Sequence, residues 1–397
     1  MKNILLGFAA LALALVGAGC GNQNKAPEMG MDTQMNDAPE MEAQEMEPIK
    51  IGFISPLTGE AATYGEPGKN VTAMAVEEIN AAGGINGQML EVIYEDGKCN
   101  GKDASNAMNK LATVDKVQAI IGGFCSGESL AAAPIANDHK ILLFSPGSSS
   151  PDLTEQGGAF FFRNFPSDAT QAQVLADVAY NKKEWRKIAI IQEQTDYAEA
   201  LQSSFAANFT ELGGEVMVEK FPTGSADFRT PLTKLKGFEP DALFLAVQTD
   251  KPAENILRQA SELGWEVDLM GSDIMSGGEV AKSSPELLEG MFVAEFGVNH
   301  GEAFDAFNAA YKAKYGEDVP YAAYAQTEYD AVYQLADALK EVGNDGEALR
   351  DWFANSSGWE GVSGAVEFTE NGDRTVGHVP LIIHDGAVVP FDEMAEE

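Results

Sequence analysis

Short apolar runs alternate with amphipathic stretches along most of the chain. A nearly continuous run, such as VQAII at 117–121, is typical of a strand that helices cover on both faces of a parallel sheet. Strands are predicted at 49–54, 90–94, 117–121, 141–144, 187–192, 215–220, 241–247, 267–270 and 290–295. Helices are predicted between them, at 68–82, 102–113, 168–181, 197–212, 228–236 and 252–263. This alternation predicts an α/β protein with parallel sheets and right-handed crossovers.

The pattern changes after residue 295. Two successive helices are predicted at 302–315 and 321–342, followed by two weak strands at 364–368 and 379–383. Glycine pairs at 83–84 and 213–214 end corresponding helices, so the two halves repeat one topology. The region from residue 49 onward, about 350 residues, exceeds what one core usually supports, and two lobes are expected. The late elements must return to these lobes, so we expect the chain to cross between them more than once.

Two polar turns follow neighbouring predicted strands. In AIIGGFCSGES (119–129), Gly122 and Gly123 end a strand and Ser126 stands ahead of a helical pattern. The next strand, 141–144, runs into SPGSSSP at 145–151. Open α/β sheets bind ligands outside the carboxyl ends of their strands, and hydroxyl and free N–H groups at a helix start favour an anion. A small-molecule crevice is therefore predicted, with a pair of well-capped turns as the simpler alternative.

The first residues are typical of a targeting segment. Lys2 precedes an apolar stretch, 4–16, that is shorter than the ~20 residues of a membrane-spanning helix. The small residues at 17–19 come before Cys20, so 1–19 resembles a bacterial lipoprotein signal peptide and Cys20 is the expected lipidation site. Gly17 departs from that motif, which usually has leucine there. No later segment is long and apolar enough to cross a bilayer.

A different composition follows Cys20. Residues 21–47 are rich in Met, Glu, Asn, Gln and Pro and contain no Leu, Ile, Val or aromatic residue. Such a segment cannot bury a core, so 20–48 is predicted to be a lipidated cysteine and a disordered, acidic tether. Its five methionines could bind copper through their thioethers, but their irregular spacing among carboxylates favours a solvated spacer.

Charge narrows the range of partners. The net charge of −36 argues against nucleic acid binding and favours solubility.

Several motifs, taken in order, resemble the leucine/isoleucine/valine-binding family. IKIGFISPLTGEAATYG, AVEEINAAGGINGQML and EVIYEDGKCNG are similar to that family's opening. IIGGFCSGES, LLFSPGSSSPDLT, FFRNFPSDATQ, ADFRTPLTKLKGFEPDALFL and GAVEFTENGDR follow in the family's order. The resemblance covers residue 49 to about 384. These are type I periplasmic binding proteins that supply ABC transporters.

The resemblance implies an architecture of two Rossmann-like lobes with parallel sheets, joined by a hinge that the chain crosses three times. The amino-terminal lobe would comprise 49–165 and 297–362. The carboxy-terminal lobe would comprise 166–296 and 363–397. The hinge is predicted to pass through 164–167 and 295–298, where the pattern of one lobe ends and that of the other begins.

The resemblance also implies a ligand-binding site, with no catalytic residue and no metal. Ser126, Gly147 and Ser149 match positions that hold a ligand carboxylate, and Asp273 matches the acid that pairs with the ligand ammonium. Tyr64 would line the crevice, Tyr197 would close over the ligand, and Tyr324 would supply an aromatic contact. Each residue has a structural alternative: a turn tyrosine for Tyr64, capping for Ser126, Ser149 and Asp273, and packing for Tyr197 and Tyr324.

Two cysteines remain once Cys20 is assigned to lipid. An even pair in an extracytoplasmic domain suggests a disulfide, and the family has a bridge at positions matching Cys99 and Cys125. The competing interpretation is a hydrolase, because GFCSG at 123–127 imitates a nucleophile elbow with cysteine in place of serine. Such an enzyme needs a histidine partner. None of the four histidines has an evident partner context: His139, His300, His378 and His384.

The resemblance implies a non-enzymatic function. The chain would be an extracytoplasmic lipoprotein, in the periplasm or at the cell surface, that passes a small amino acid to ABC permease subunits. It would act as a monomer without a cofactor, and the membrane contact would be its lipid anchor. Gln248 and Thr249 stand where an aromatic residue is expected, and Ser148 makes the carboxylate turn more polar. Binding of amides, urea or aromatic acids, or a sensing ectodomain for a receptor, therefore remain as alternatives.

Overall fold

Two sheets with the same strand order organise the part of the chain that the computed structural model describes, residues 46–299 and 301–392. The predicted signal peptide, Cys20, nearly all of the predicted tether and His300 lie outside this range. Of the five methionines considered for copper binding, only Met46 lies within it. Among the described residues, no helix combines the length and the apolarity that a bilayer crossing requires.

The first lobe is built on a five-stranded parallel sheet with the strand order β2-β1-β3-β4-β5. Its strands are β1 (Ile49–Ser55), β2 (Leu90–Asp96), β3 (Ala119–Gly122), β4 (Leu142–Ser145) and β5 (Phe161–Arg163). Every residue of β3 and β4 is buried, as continuous apolar runs predict for strands covered on both faces.

The second lobe repeats this order from β6 onward. Its parallel strands are β6 (Lys187–Glu193), β7 (Glu215–Phe221), β8 (Ala242–Ala246), β9 (Asp268–Gly271) and β10 (Phe292–Glu295), in the order β7-β6-β8-β9-β10. β11 (Trp359–Gly361) and β12 (Gly364–Val366) form a separate two-stranded sheet. β13 (Val379–His384) extends the second sheet antiparallel to β10, and β14 (Ala387–Pro390) pairs antiparallel with β13. The repeated topology is confirmed, but the second sheet is mixed rather than purely parallel.

Helices cover both sheets. They are α1 (Ala62–Ala81), α2 (Gly101–Lys110), α3 (Ser126–His139), α4 (Asp152–Gln156), α5 (Asp168–Asp177), α6 (Asp196–Glu211), α7 (Arg229–Lys236), α8 (Asp250–Glu262), α9 (Glu279–Ser283), α10 (Glu302–Tyr315), α11 (Ala322–Val342) and α12 (Gly346–Asn355). The start predicted for the first helix was wrong by six residues, because Gly65 and Pro67 usually interrupt helices and yet lie inside α1. Tyr64 is accordingly a helical residue and not, as expected, a loop residue.

The chain passes between the two sheets three times, as the resemblance implied. It leaves the first lobe after β5, returns to that lobe after β10 with α11, which packs on α1, and enters the second sheet again at β13. The Arg163 N–H donates to the Gly372 carbonyl at 2.9 Å, so the last passage begins after this contact. The lobe boundaries remain predictions, and the one at 362/363 precedes this last passage by about ten residues.

Candidate functional site

The turn after β4 is a network of serine hydroxyls around the end of β3. Ser148 Oγ donates to the Gly123 carbonyl at 2.8 Å, and Ser145 Oγ donates to the same oxygen at 2.7 Å. Ser126 Oγ accepts the Ser150 backbone N–H at 3.1 Å, which leaves its hydroxyl proton for a ligand. Ser126 is the first residue of α3, with Cys125 as its N-cap, so this proton lies at a helix amino terminus. Such a position favours an anion.

A buried arginine, Arg163, donates hydrogen bonds to the backbone of this turn. The Arg163 side chain is fully buried, and one guanidinium N–H donates to the Ser150 carbonyl at 2.8 Å. Its charge is balanced by Asp373, whose Oδ1 lies 2.6 Å from Nε. A buried cation is stable only when it is paired in this way, so the pair fixes the backbone that presents Ser149.

Asp273 follows β9 and accepts hydrogen bonds from two tyrosines of different lobes. Tyr197 Oη, at the start of α6, lies 2.8 Å from Oδ1, and Tyr324 Oη, in the first turn of α11, lies 2.5 Å from Oδ2. Burial and the adjacent Asp273 carboxylate raise the pKa of both tyrosines well above the usual value, so both hydroxyls remain protonated donors. Asp273 is itself buried, which makes it suited to pair with a cation.

A second buried carboxylate, Asp168, lies beside this group. Ser149 Oγ donates to Asp168 Oδ2 at 2.8 Å, while Oδ1 has no hydrogen-bond partner among the described residues. Burial and the nearby Asp273 charge raise the pKa of Asp168. Because the Ser149 proton goes to Asp168, the hydroxyl presents lone pairs to the cavity, and these suit an ammonium better than the carboxylate expected there.

Six of the seven predicted ligand-binding residues line one cavity between the lobes: Tyr64, Ser126, Gly147, Ser149, Tyr197 and Tyr324. The seventh, Asp273, bonds to two of them. The cavity measures about 20 Å³, which is room for little more than a water molecule. Any larger ligand can therefore enter only if the lobes separate.

Sequence reasoning missed several residues of the site. Phe124 and Ile274 line the same cavity, and Asp168 supports Ser149, whereas Gln248, which also lines it, is a pocket position that the resemblance indicated. Phe124 and Ile274 each follow a strand end and could have been proposed from that position. Asp168 begins a helix, so its sequence signal was that of an ordinary first-turn acid.

The predicted disulfide between Cys99 and Cys125 is present. It joins the loop after β2 to the start of α3, and the Glu128 carboxylate accepts both cysteine N–H groups, at 2.9 and 3.0 Å. Burial raises the pKa of Glu128 to about 7. Since the Cys125 sulfur is bonded to Cys99, the structure contradicts the cysteine-hydrolase alternative, which requires a free thiolate.

Two lobes of repeated topology, with polar residues at the carboxyl ends of both sheets and a cavity between them, define a solute-binding protein of the type I periplasmic class. The sequence model of the periplasmic binding protein family matches residues 48–383, and the chain belongs to this family. The family consists of solute-binding proteins rather than enzymes, and its members act outside the cytoplasm.

Individual relatives show the extent of the similarity. An amino acid binding protein of Pseudomonas aeruginosa is 29% identical over 332 residues, which are 83% of this chain and 88% of the relative. The crystal structure of the leucine binding protein LivK from Thermotoga maritima is similar with a TM-score of 0.78 at 29% identity, over 87% of this chain and 99% of that one. The branched-chain amino acid transporter substrate binding protein LivJ from Streptococcus pneumoniae, in complex with isoleucine, gives a TM-score of 0.77 at 30% identity, over 86% and 97%.

Proposed function

We propose that this protein captures a small α-amino acid, branched-chain or related, and delivers it to the permease subunits of an ABC transporter. The observation that carries the proposal is the polarity of the cavity. The cavity is lined by the Ser126 hydroxyl at a helix amino terminus. The buried carboxylates of Asp168 and Asp273 lie directly behind its lining, where they accept hydrogen bonds from Ser149 and from Tyr197 and Tyr324. Together they complement the carboxylate and the ammonium of a zwitterion.

The relatives support the same ligand class. The proteins from P. aeruginosa, T. maritima and S. pneumoniae are, respectively, an amino acid binding protein, a leucine binding protein and a transporter substrate binding protein in complex with isoleucine. The seven residues proposed to hold the ligand here are Tyr64, Ser126, Gly147, Ser149, Tyr197, Asp273 and Tyr324.

Capture would proceed by closure of the two lobes. The aromatic rings of Tyr64 and Tyr324 belong to the first lobe, and Tyr64 Oη donates to the Gln248 carbonyl of the second at 3.2 Å. A ligand bound between the two lobes stabilises a closed arrangement that is expanded enough to hold it, by its differential affinity for that arrangement. A lipid on Cys20 and the tether would hold the protein near the permease and raise its effective concentration there.

A thermal-shift panel, followed by calorimetry, tests the proposal. Amino acids should raise the melting temperature in proportion to their affinity, whereas acetamide, urea and benzoate should not. Stabilisation by a neutral amide or by benzoate alone would favour the alternatives. Stimulation of the permease's ATPase activity by the liganded protein distinguishes transport from sensing.

A further inference from the structure

A second and larger cavity opens from the same cleft. It measures about 370 Å³ and is bounded by Glu60 and Lys98 on the first lobe and by Glu193, Thr223 and Thr249 on the second. We call it the outer chamber. Gln248 lines both the outer chamber and the small cavity of the proposed amino-acid site. The two spaces therefore meet at one residue.

The outer chamber contains an unsatisfied buried carboxylate. Glu193, the last residue of β6, is fully buried. Its Oε2 accepts the Gln248 N–H at 2.9 Å, while Oε1 has no hydrogen-bond partner among the described residues. Burial raises the pKa of Glu193, and the nearby Glu60 charge adds to this effect. Hydrogen bonds from Gln248, Thr223 and Thr249 oppose it, and no cation in the described part of the chain balances the charge. A buried carboxylate oxygen without a partner is costly, and a bound ligand or ion is one of the explanations for it.

The charge balance of the chamber favours a cation. Glu60, Glu193 and Asp196 line it, against the single ammonium of Lys98. Lys98 Nζ lies 3.5 Å from Asp103 Oδ1, so part of its charge is already balanced by an acid that does not line the chamber. A concave surface with excess negative charge concentrates positive ligands, and the net charge of −36 adds to this effect.

The position of Glu193 in the fold agrees with a binding role. Each sheet has a topological switch point, where successive strands are added on opposite sides of the first strand. It lies between β1 and β3 in one lobe and between β6 and β8 in the other. Ligands bind at such switch points. Ser126 follows β3 at the first switch point, while Glu193 ends β6 and Gln248 follows β8 at the second.

The backbone of Gln248 has hydrogen-bond partners on both sides of the boundary between the two spaces. The Gln248 carbonyl accepts the Tyr64 hydroxyl, and the Gln248 N–H donates to Glu193. A ligand held by its α-ammonium and α-carboxylate in the inner cavity could extend its side chain past Gln248 into the outer chamber. An aliphatic side chain would leave Glu193 unpaired, whereas an amino or guanidinium group would pair with it.

We infer that the preferred ligand is an amino acid whose side chain ends in an amino or guanidinium group, and that Glu193 binds this group in the outer chamber. The inference rests on the proposed function and narrows its ligand class. Glu193 is then a specificity-determining residue of the cleft.

Calorimetry with L-lysine, L-arginine, L-norleucine and L-leucine tests the inference. Norleucine has the straight aliphatic side chain of lysine without its ammonium, so wild-type protein should bind lysine or arginine at least thirtyfold more tightly than norleucine. This comparison requires no variant. Glu193→Gln should abolish that preference and leave the affinity for norleucine within about threefold, and the matched control Glu215→Gln, at an exposed position, should match wild type.

The possible failures are distinguishable. If leucine or norleucine binds more tightly than lysine and arginine, or if Glu193→Gln retains the wild-type preference, the inference is wrong and the proposed function stands. If none of these four binds but another amino acid of the thermal-shift panel does, the inference is wrong and the proposed function stands; if no amino acid of the panel binds, the proposed function itself is wrong. A melting curve for Glu193→Gln establishes that the variant is folded before its affinities are compared.

Discussion

Tyr324 Oη lies 2.5 Å from Asp273 Oδ2, and the two residues belong to different lobes. Tyr324 is carried by α11, which packs on α1 of the first lobe, whereas Asp273 follows β9 of the second. The contact places the only charged group of the predicted binding set on the boundary that must open and close. Ligand affinity and lobe closure should therefore both depend on Asp273.

The first prediction concerns the loss of this carboxylate. Asp273→Ala should weaken binding of the best amino acid by roughly thirtyfold to a few thousandfold, because a buried ammonium left without its partner costs about 2 to 5 kcal/mol. Calorimetry measures the change. Asp273→Asn is the matched variant: it keeps the shape and an acceptor but removes the charge, so it should also bind poorly.

A neutral amide would respond differently to the same variants. It would lose one hydrogen bond, near 1 kcal/mol, when Asp273 is replaced. A loss below about tenfold, for a ligand that carries an α-ammonium, would remove Asp273 from the site.

The second prediction concerns the bond between Cys99 and Cys125. The bridge spans 26 residues, so the double variant Cys99→Ala/Cys125→Ala should lose about 3 kcal/mol of unfolding free energy through the entropy of the unfolded chain. Denaturant unfolding measures this loss, and Cys20→Ala should not share it. Labelling of Cys99 or Cys125 by a thiol reagent in the folded protein, without reductant, would contradict the prediction.

The third prediction concerns the hinge at 164–167 and 295–298. Small-angle scattering should show a smaller radius of gyration when saturating ligand is added, because a ligand bound to both lobes favours the closed arrangement. Asp273→Ala is the control: at a ligand concentration that saturates wild type but lies below the dissociation constant of the variant, it should remain as extended as the protein without ligand. An identical radius with and without saturating ligand would exclude closure.

The fourth prediction concerns pH and Glu328, which is buried between α11 and α1. Its Oε1 accepts the Thr72 hydroxyl at 2.8 Å, and burial raises its pKa to about 8. Because the folded pKa exceeds the unfolded value of about 4.3, the stability contributed by protonated Glu328 is complete below the unfolded pKa and is lost as pH rises to about 8. At pH 7 the loss is on the order of 3 kcal/mol.

Glu328→Gln removes this titration while keeping an oxygen for Thr72. The variant should gain stability over wild type progressively between pH 5 and pH 8, as measured by denaturant unfolding across that range. Glu91→Gln, at an exposed position of β2, should follow the wild-type curve. A stability difference between Glu328→Gln and wild type that is constant with pH would show that Glu328 does not titrate in this range.

The hydrophobic pattern predicted most of the architecture because the central strands β3, β4, β6 and β8 are nearly continuous apolar runs. It failed where the local signal was weak or contrary. Phe161–Arg163 is too short a strand to give a periodic pattern, and Gly65 and Pro67 concealed the first turn of α1. Val388 lies in β14, a short and partly exposed edge strand. Its sequence therefore lacks the apolar pattern by which a buried strand can be predicted.

The sequence indicated which residues belong to the binding site, but not which of their side chains hydrogen-bond to one another. Strand ends and the family resemblance indicated Ser126, Ser149 and Asp273, yet which groups donate depends on contacts between distant segments. Ser149 gives its proton to Asp168, nineteen residues later, and Asp273 receives one from Tyr324, fifty-one residues later. The sequence indicates only that Glu193 ends a strand, whereas the fold shows that its carboxylate lies in a cavity.

The ion pair of Arg163 and Asp373 couples the movement of the lobes to the serine turn after β4. The same guanidinium that supports the serine turn is neutralised by a residue near the beginning of the third passage between the lobes. Twisting that passage must either carry Arg163 along or separate a buried ion pair, and separation is the costlier outcome. The pair thus links the third passage between the lobes rigidly to the serine turn after β4. A change in the angle between the lobes should therefore change the shape of that turn.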